Sequence, residues 1–437
     1  MVLVGLFLLF LGILMLVIHL TVGKGFLVDP ISVSWLANLM FIPFGVLFAS
    51  FDDTNEYGTR NYVLFMYVTG TITYIIGLYS GKATFLTKIL PVPSERLNLA
   101  QLWAIILISG SLFAILGFGI QLVPSGLVSV ISGLNSASTG AMVLLGLYAI
   151  ICYRGHFVTK LLTGLLSIAM LILMFRFYWS RRPVFAVLFS AICLFYYKKL
   201  LWRTIAVRSI FWAIGGIFAI SLLLYLGATR SERVRGSGEL KSSKTFSIEN
   251  FQSFGGAVAS GYVIFGKVLY DYQNGSEFGF QYGKTYIPGL IFWIPRSIWP
   301  SKPITGGGIA TFIWYNTTEA PSNVSPSPIG EAYINFGFLG AIFIPFLAGW
   351  FVRGFNNYLI NNQSSEVLWL VWFAVAPDYA TQWRGDFTSM FVQAFLRVAF
   401  ILILAWATKR IGSQAYEESY LLEQNELYAD DDTYYSY

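Results

Sequence analysis

The chain alternates long apolar runs with short polar breaks. A helix that crosses the hydrocarbon core of a bilayer needs about 20 mostly apolar residues. Runs of that kind occupy residues 1–22, 29–50, 61–80, 99–121, 137–153, 158–178, 183–198, 206–226, 330–352, 367–380 and 388–408. They predict eleven spanning helices, the seventh and tenth of them short. The pattern lapses over 227–329, where only 256–270 and 286–299 are apolar enough for re-entrant or interfacial helices. The end of the chain, with "YADDDTYYSY", reads as a disordered acidic extension. The expected architecture is an all-α polytopic membrane protein. Residues 1–226 carry spans one to eight, 227–329 a large extracytoplasmic loop, 330–410 spans nine to eleven, and 411–437 a cytoplasmic tail. The first run lacks a basic leader and a small-residue cleavage site, so it reads as a spanning helix rather than a signal peptide.

Composition points the same way. Hydrophobic residues make up 56% of the chain and charged residues 11%, against about 25% charged in a soluble domain. Only lipid can solvate that much apolar surface. The two cysteines, Cys152 and Cys193, lie inside apolar runs and suggest neither a disulfide framework nor a metal site. The net charge of +6 comes from basic residues clustered in short breaks, so it reports topology rather than a nucleic-acid partner.

Those basic residues fall in alternate breaks: Lys24; Lys82, Lys88 and Arg96; Arg154 and Lys160; Lys198, Lys199, Arg203 and Arg208; Arg353; and Lys409 with Arg410. The positive-inside rule makes these breaks cytoplasmic. The N-terminus and the 227–329 loop are then outside, and the C-terminus inside. Against this trend, Arg181 and Arg182, Arg296 and Arg384 stand on the outer side, beside Trp179, Trp299 and Trp383. Tryptophan prefers headgroup depth.

Arginine offers phosphate a planar, permanently charged fork. Outer headgroup depth is where a polyprenyl pyrophosphate-linked sugar presents its phosphates. Fixed arginines there would stabilise a departing pyrophosphate without a nucleotide or a metal. Lys302 adds a second, looser charge. The competing reading is that each arginine snorkels to lipid headgroups. In "SPSPIGEAYINFGFLG", Glu331 lies where the long loop enters span nine. It is a candidate general base for a sugar hydroxyl; alternatively it pairs with an outer arginine or sits at a helix N-terminus. Asp378 and Asp386 flank Arg384 and compete for the same role. "GGG" at 306–308 fits no phosphate-binding pattern and reads as a hinge. His19 and His156 are both away from the outer face, so a histidine base is excluded.

The motifs "SRRPV", "YIPGLIFWIPRSIWPSKP", "SPIGEAYINFGFLG" and "WRGDF" resemble those of bacterial oligosaccharide repeat-unit polymerases, the Wzy-type O-antigen and exopolysaccharide polymerases. The likeness covers the second half of the chain; in the first half it is one of hydropathy. It implies a metal-independent, cofactor-free glycosyltransferase of the GT-C type in the bacterial inner membrane. Such an enzyme moves the growing glycan from undecaprenyl pyrophosphate to the non-reducing end of the next lipid-linked unit, and can work with a chain-length regulator. Arg181, Arg182, Arg296 and Arg384 stand at the matching arginine positions and Glu331 at the matching glutamate. The O-antigen ligases resemble these enzymes but carry a histidine in the large outer loop, and none is present here. A flippase for the same lipid would show two similar halves and polar residues deep in its spans; here the charges crowd one face and one loop is very long.

Overall fold

The structure is a computed structural model that describes residues 2–21, 28–50, 58–80, 84–90, 181–200, 248–294, 296, 298–316 and 324–407, with isolated positions between 104 and 210. Apart from those isolated positions, spans four, five, six and eight fall outside the described residues, as do Trp179, Pro295 and the acidic tail. Among the described residues every regular element is helical.

The N-terminal run forms α1 (Val2–Thr21). The second expected span is two helices, α2 (Pro30–Phe41) and α3 (Pro43–Ser50), broken at Ile42. Pro43 explains the break, because its ring carries no N–H for the α2 ladder. Asp29 caps α2, accepting the Ser32 amide at 2.6 Å. Next come α4 (Arg60–Tyr79), the short α5 (Phe85–Ile89) and α6 (Arg181–Phe195), which runs into one π-helical turn over Tyr196–Leu200. The apolar piece at 256–270 lies inside the 26-residue α7 (Ile248–Gln273), which packs against α3, α4 and α10. The other piece, 286–299, is helical only over α8 (Ile287–Leu290) and continues as turns. Then follow α9 (Gly306–Tyr315), α10 (Ser327–Asn361), α11 (Glu366–Ala380) and α12 (Phe387–Ala407). Among the described residues, four segments are long and apolar enough to cross a membrane: Val2–Thr21, Pro30–Leu47, Arg60–Tyr79 and Ser327–Asn361. The chain is a helical protein of membrane character.

α10 corrects the expected ninth span. It is continuous by hydrogen bonding, yet Phe336 and Gly337 leave helical geometry, with φ, ψ of 62°, −148° at Gly337. That region is essentially reserved for glycine. A Cβ on Gly340 would collide with the Ala332 carbonyl, although eight residues of straight helix separate two atoms by about 12 Å. The chain therefore doubles back at 336–337. A short limb, 327–335, leans on a long limb, 338–361. Gly70 of α4 lies against both Ile329 and Ala341, one residue on each limb. The long limb runs alongside α4 with backbone touching backbone: a Cβ on Gly77 would meet the Phe346 carbonyl, and one on Gly349 the Tyr74 carbonyl.

At the far end of the bundle, Lys198 pairs with Glu366 at 2.5 Å, and Tyr148 donates to the same carboxylate. His19 meets Asp29 at 3.0 Å in a buried pair between α1 and α2.

Candidate functional site

The doubled-back end of α10 places Glu331 inside the protein, with 0% of its surface exposed. A carboxylate taken out of water this completely needs donors on its oxygens. Thr285, on the 3-10 turn Lys284–Tyr286, donates its hydroxyl to Oε1 at 2.9 Å. The Phe387 amide, at the start of α12, donates to Oε2 at 2.6 Å. Gly306, first residue of α9, is pressed so close that a Cβ there would stand 2.6 Å from Oε1. Three segments distant in sequence thus close on one carboxyl group. Among the described residues no arginine is a hydrogen-bonding partner of Glu331, and its seat at the first amide of α12 is where a helix favours an anion.

Asp386 occupies the neighbouring seat. It is 2% exposed, accepts the Gly307 amide at 3.2 Å and the Ser389 amide at 3.3 Å, and takes the Ser389 hydroxyl as well. It lies close enough to Glu331 for the two charges to act on each other. The triple glycine is therefore a cradle for two protein carboxylates. Gly306 faces Glu331 and Gly307 faces Asp386, and a side chain at either position would strike an oxygen. Close packing against these oxygens, not the hinge that "GGG" suggests, is what requires glycine here.

Two neutral residues that sequence reasoning passed over hold the arrangement. Asn335 donates from Nδ2 to the Thr285 hydroxyl at 2.6 Å and to the Glu331 carbonyl at 2.9 Å, and its Oδ1 accepts the Gly283 amide at 2.9 Å. Thr388 reaches the Thr285 carbonyl at 3.4 Å. Burial, and then the charge of Glu331, hold the Tyr286 phenol above its ordinary range. The only signal in the sequence was proximity: Asn335 lies four residues, about one helical turn, from Glu331.

Asp378 does not join this pair. It is ion-paired at 2.7 Å with Arg397 of α12, which also donates to the Ala374 carbonyl at 3.1 Å. Both charges lie between helices, which corrects the expectation that charge is confined to one face. Arg384 ends the 3-10 turn Gln382–Arg384, two residues before Asp386. Arg181 and Arg182 open α6; the structure describes their backbone.

Arg296 and Lys302 brace their own loop. Arg296 donates from Nη1 to the Lys302 carbonyl at 2.7 Å and from Nη2 to the Pro303 carbonyl at 3.1 Å. Lys302 reaches the Ile291 and Ile294 carbonyls, both at 2.9 Å. Burial, and secondarily the Arg296 charge, pull the Lys302 ammonium below its usual range. A guanidinium has five N–H donors, so Arg296 keeps others for a ligand. Around this brace, Leu290, Trp293, Ile298 and Trp299 stand exposed, Ile298 at 75%. The loop leads directly into Thr305, whose hydroxyl caps α9 by accepting the Gly308 amide at 2.9 Å.

Among the described residues, no group of three or more His, Cys, Asp or Glu side chains is placed to hold a metal ion. Compared with protein-family models, curated proteins and solved structures, the chain matches none of them.

Proposed function

We propose that this chain polymerises lipid-linked oligosaccharide repeat units at the outer face of the bacterial inner membrane. The observation that carries the reading is the adjacency of a buried carboxylate pair, Glu331 and Asp386, to a braced cationic loop with outward-facing tryptophans. The tryptophans and Ile298 would set the loop at headgroup depth, where Arg296 and Lys302 meet a carrier's pyrophosphate. Arg384, on the turn before Asp386, and Arg181 with Arg182 at the head of α6 would add charge to the same leaving group.

In this reading, an acceptor hydroxyl attacks the anomeric carbon of the donor glycan. The bond from that carbon to the pyrophosphate oxygen breaks, and the hydroxyl proton passes to a carboxylate. Glu331 and Asp386 are the candidates, and Asp378 is set aside because Arg397 holds it. Glu331 is sealed in the conformation described, so the Thr285 turn or the 296–305 loop must move for a sugar to reach it.

The direct test uses purified protein in nanodiscs with an undecaprenyl pyrophosphate-linked repeat unit. A ladder of polymers supports the reading. Transfer of a glycan to a different acceptor, without a ladder, would favour a ligase. No transfer under either condition refutes both.

A further inference from the structure

The turn that precedes Asp386 enters a second polar cluster that the proposed chemistry does not use. Tyr379 of α11 shares a hydrogen bond with Tyr74 of α4 at 2.7 Å, and Tyr74 shares another with Ser34 of α2. Gln382 turns its side chain to both tyrosine hydroxyls. Trp383 packs edge-on against Tyr74, ring centroids 5.2 Å apart. Asn38 lies on α2 one turn beyond Ser34, on the same face. Tyr379 is 13 residues from Glu366, so the cluster stands about 20 Å along α11 from the Lys198–Glu366 end.

Its hydrogen bonding is incomplete. Asn38 is 2% exposed and Trp383 is 5% exposed, yet among the described residues Asn38 Nδ2, Trp383 Nε1 and Gln382 Nε2 have no acceptor. A buried N–H without a partner is costly, and more so where water is excluded. Three such donors, on the helix and turn that also supply this hydroxyl chain with Ser34 and Gln382, point to oxygen atoms that arrive from elsewhere. The groups that meet here are hydroxyls, amides and an indole, none of them charged. An anion would be buried without a counter-charge, whereas a neutral hydroxylated ring offers acceptors to these nitrogens and a face to the aromatic edges.

We propose that Asn38, Tyr74, Tyr379, Gln382 and Trp383 form a subsite for one neutral sugar ring of a lipid-linked glycan. The nature of the carrier rests on the polymerase reading above; the ring chemistry rests on this cluster. The turn that supplies Gln382 and Trp383 continues into Arg384 and Asp386, so ring and pyrophosphate would be read by one segment.

The test compares two probes on the full-length protein by native mass spectrometry: farnesyl pyrophosphate, and farnesyl pyrophosphate bearing one N-acetylhexosamine. The wild-type protein should bind the sugar-bearing probe about tenfold or more tightly, as two added hydrogen bonds allow. Asn38→Leu and Trp383→Phe should each bring the two probes to similar affinity. Asn38→Leu should also keep or raise the melting temperature of the ligand-free protein, because it removes an unpaired buried donor. Equal binding of the two probes by wild type overturns the subsite and leaves the carrier reading standing; binding of neither overturns both. A lower melting temperature in Asn38→Leu with the sugar preference kept would show that ordered water, not a sugar, completes the cluster.

Discussion

Replacing Glu331 with glutamine separates chemistry from architecture at this site. Both oxygens of Glu331 accept hydrogen bonds, from the Thr285 hydroxyl and the Phe387 amide. Glutamine keeps one acceptor oxygen and turns an NH2 group toward the other donor. If the NH2 faces Phe387, two donors confront each other in a buried space at the head of α12. A buried donor left without an acceptor costs about 1–3 kcal/mol, so Glu331→Gln should cost roughly that much stability. Relief of the repulsion with Asp386 offsets part of the loss. Thermal melting in nanodiscs measures this directly. Polymer formed per folded enzyme measures the other quantity, and loss of a general base should lower it by about 10²–10⁴-fold. Glu331→Asp is the useful companion: it keeps the charge but is one methylene too short to hold Thr285 and Phe387 together. Near-normal turnover per folded Glu331→Gln enzyme, beside a clear stability loss, would refute the base assignment. The carboxylate would then be a clasp, and Asp386→Asn should show the catalytic defect instead.

Arg296→Lys should lose most of its polymerising activity, because lysine cannot span both the Lys302 and Pro303 carbonyls and still present a fork; full activity per folded protein would count against pyrophosphate recognition. Gly337→Ala should destabilise the fold by about 1–3 kcal/mol, the cost of forcing a side chain into that backbone region, and a melting curve unchanged from wild type would contradict the doubled-back α10. A cysteine placed at Ser242 should react with a membrane-impermeant reagent added from outside; labelling only from the cytoplasm would put the arginines on the wrong leaflet.

Hydropathy located the helices well where the described residues allow comparison. The expected spans at 1–22, 61–80, 367–380 and 388–408 fall on α1, α4, α11 and α12 with ends shifted by a residue or two. It failed at Phe336–Gly337, because "NFGFLGA" remains apolar through the reversal and a window average cannot register one residue's φ. Arg397 was missed for a related reason: a single charge inside "FLRVAF" does not break a spanning run, and its partner Asp378 lies in a different span. The carboxylates themselves were legible as charges near an apolar boundary. Their supports, Thr285 and Asn335, were not, since neutral side chains carry no periodicity and their role arises only when α8, α9, α10 and α12 converge. Arg296 stands out in the sequence beside Trp299, but nothing in "PRSIWPSKP" shows that it grips its own loop.

The α4–α10 seam sets the mechanics of the site. Carbonyls of each helix fit against glycines of the other, at Gly77 and Gly349, leaving no cushion of side chains across which the helices could slide. The long limb of α10 is in effect a fixed post, and the short limb bearing Glu331 is a bracket welded to its top. Motion that uncovers Glu331 would then fall to the Thr285 turn and the 296–305 loop, unhooking from this frame. The energy barrier of that unhooking, rather than movement of the bundle, would set how often the pocket opens.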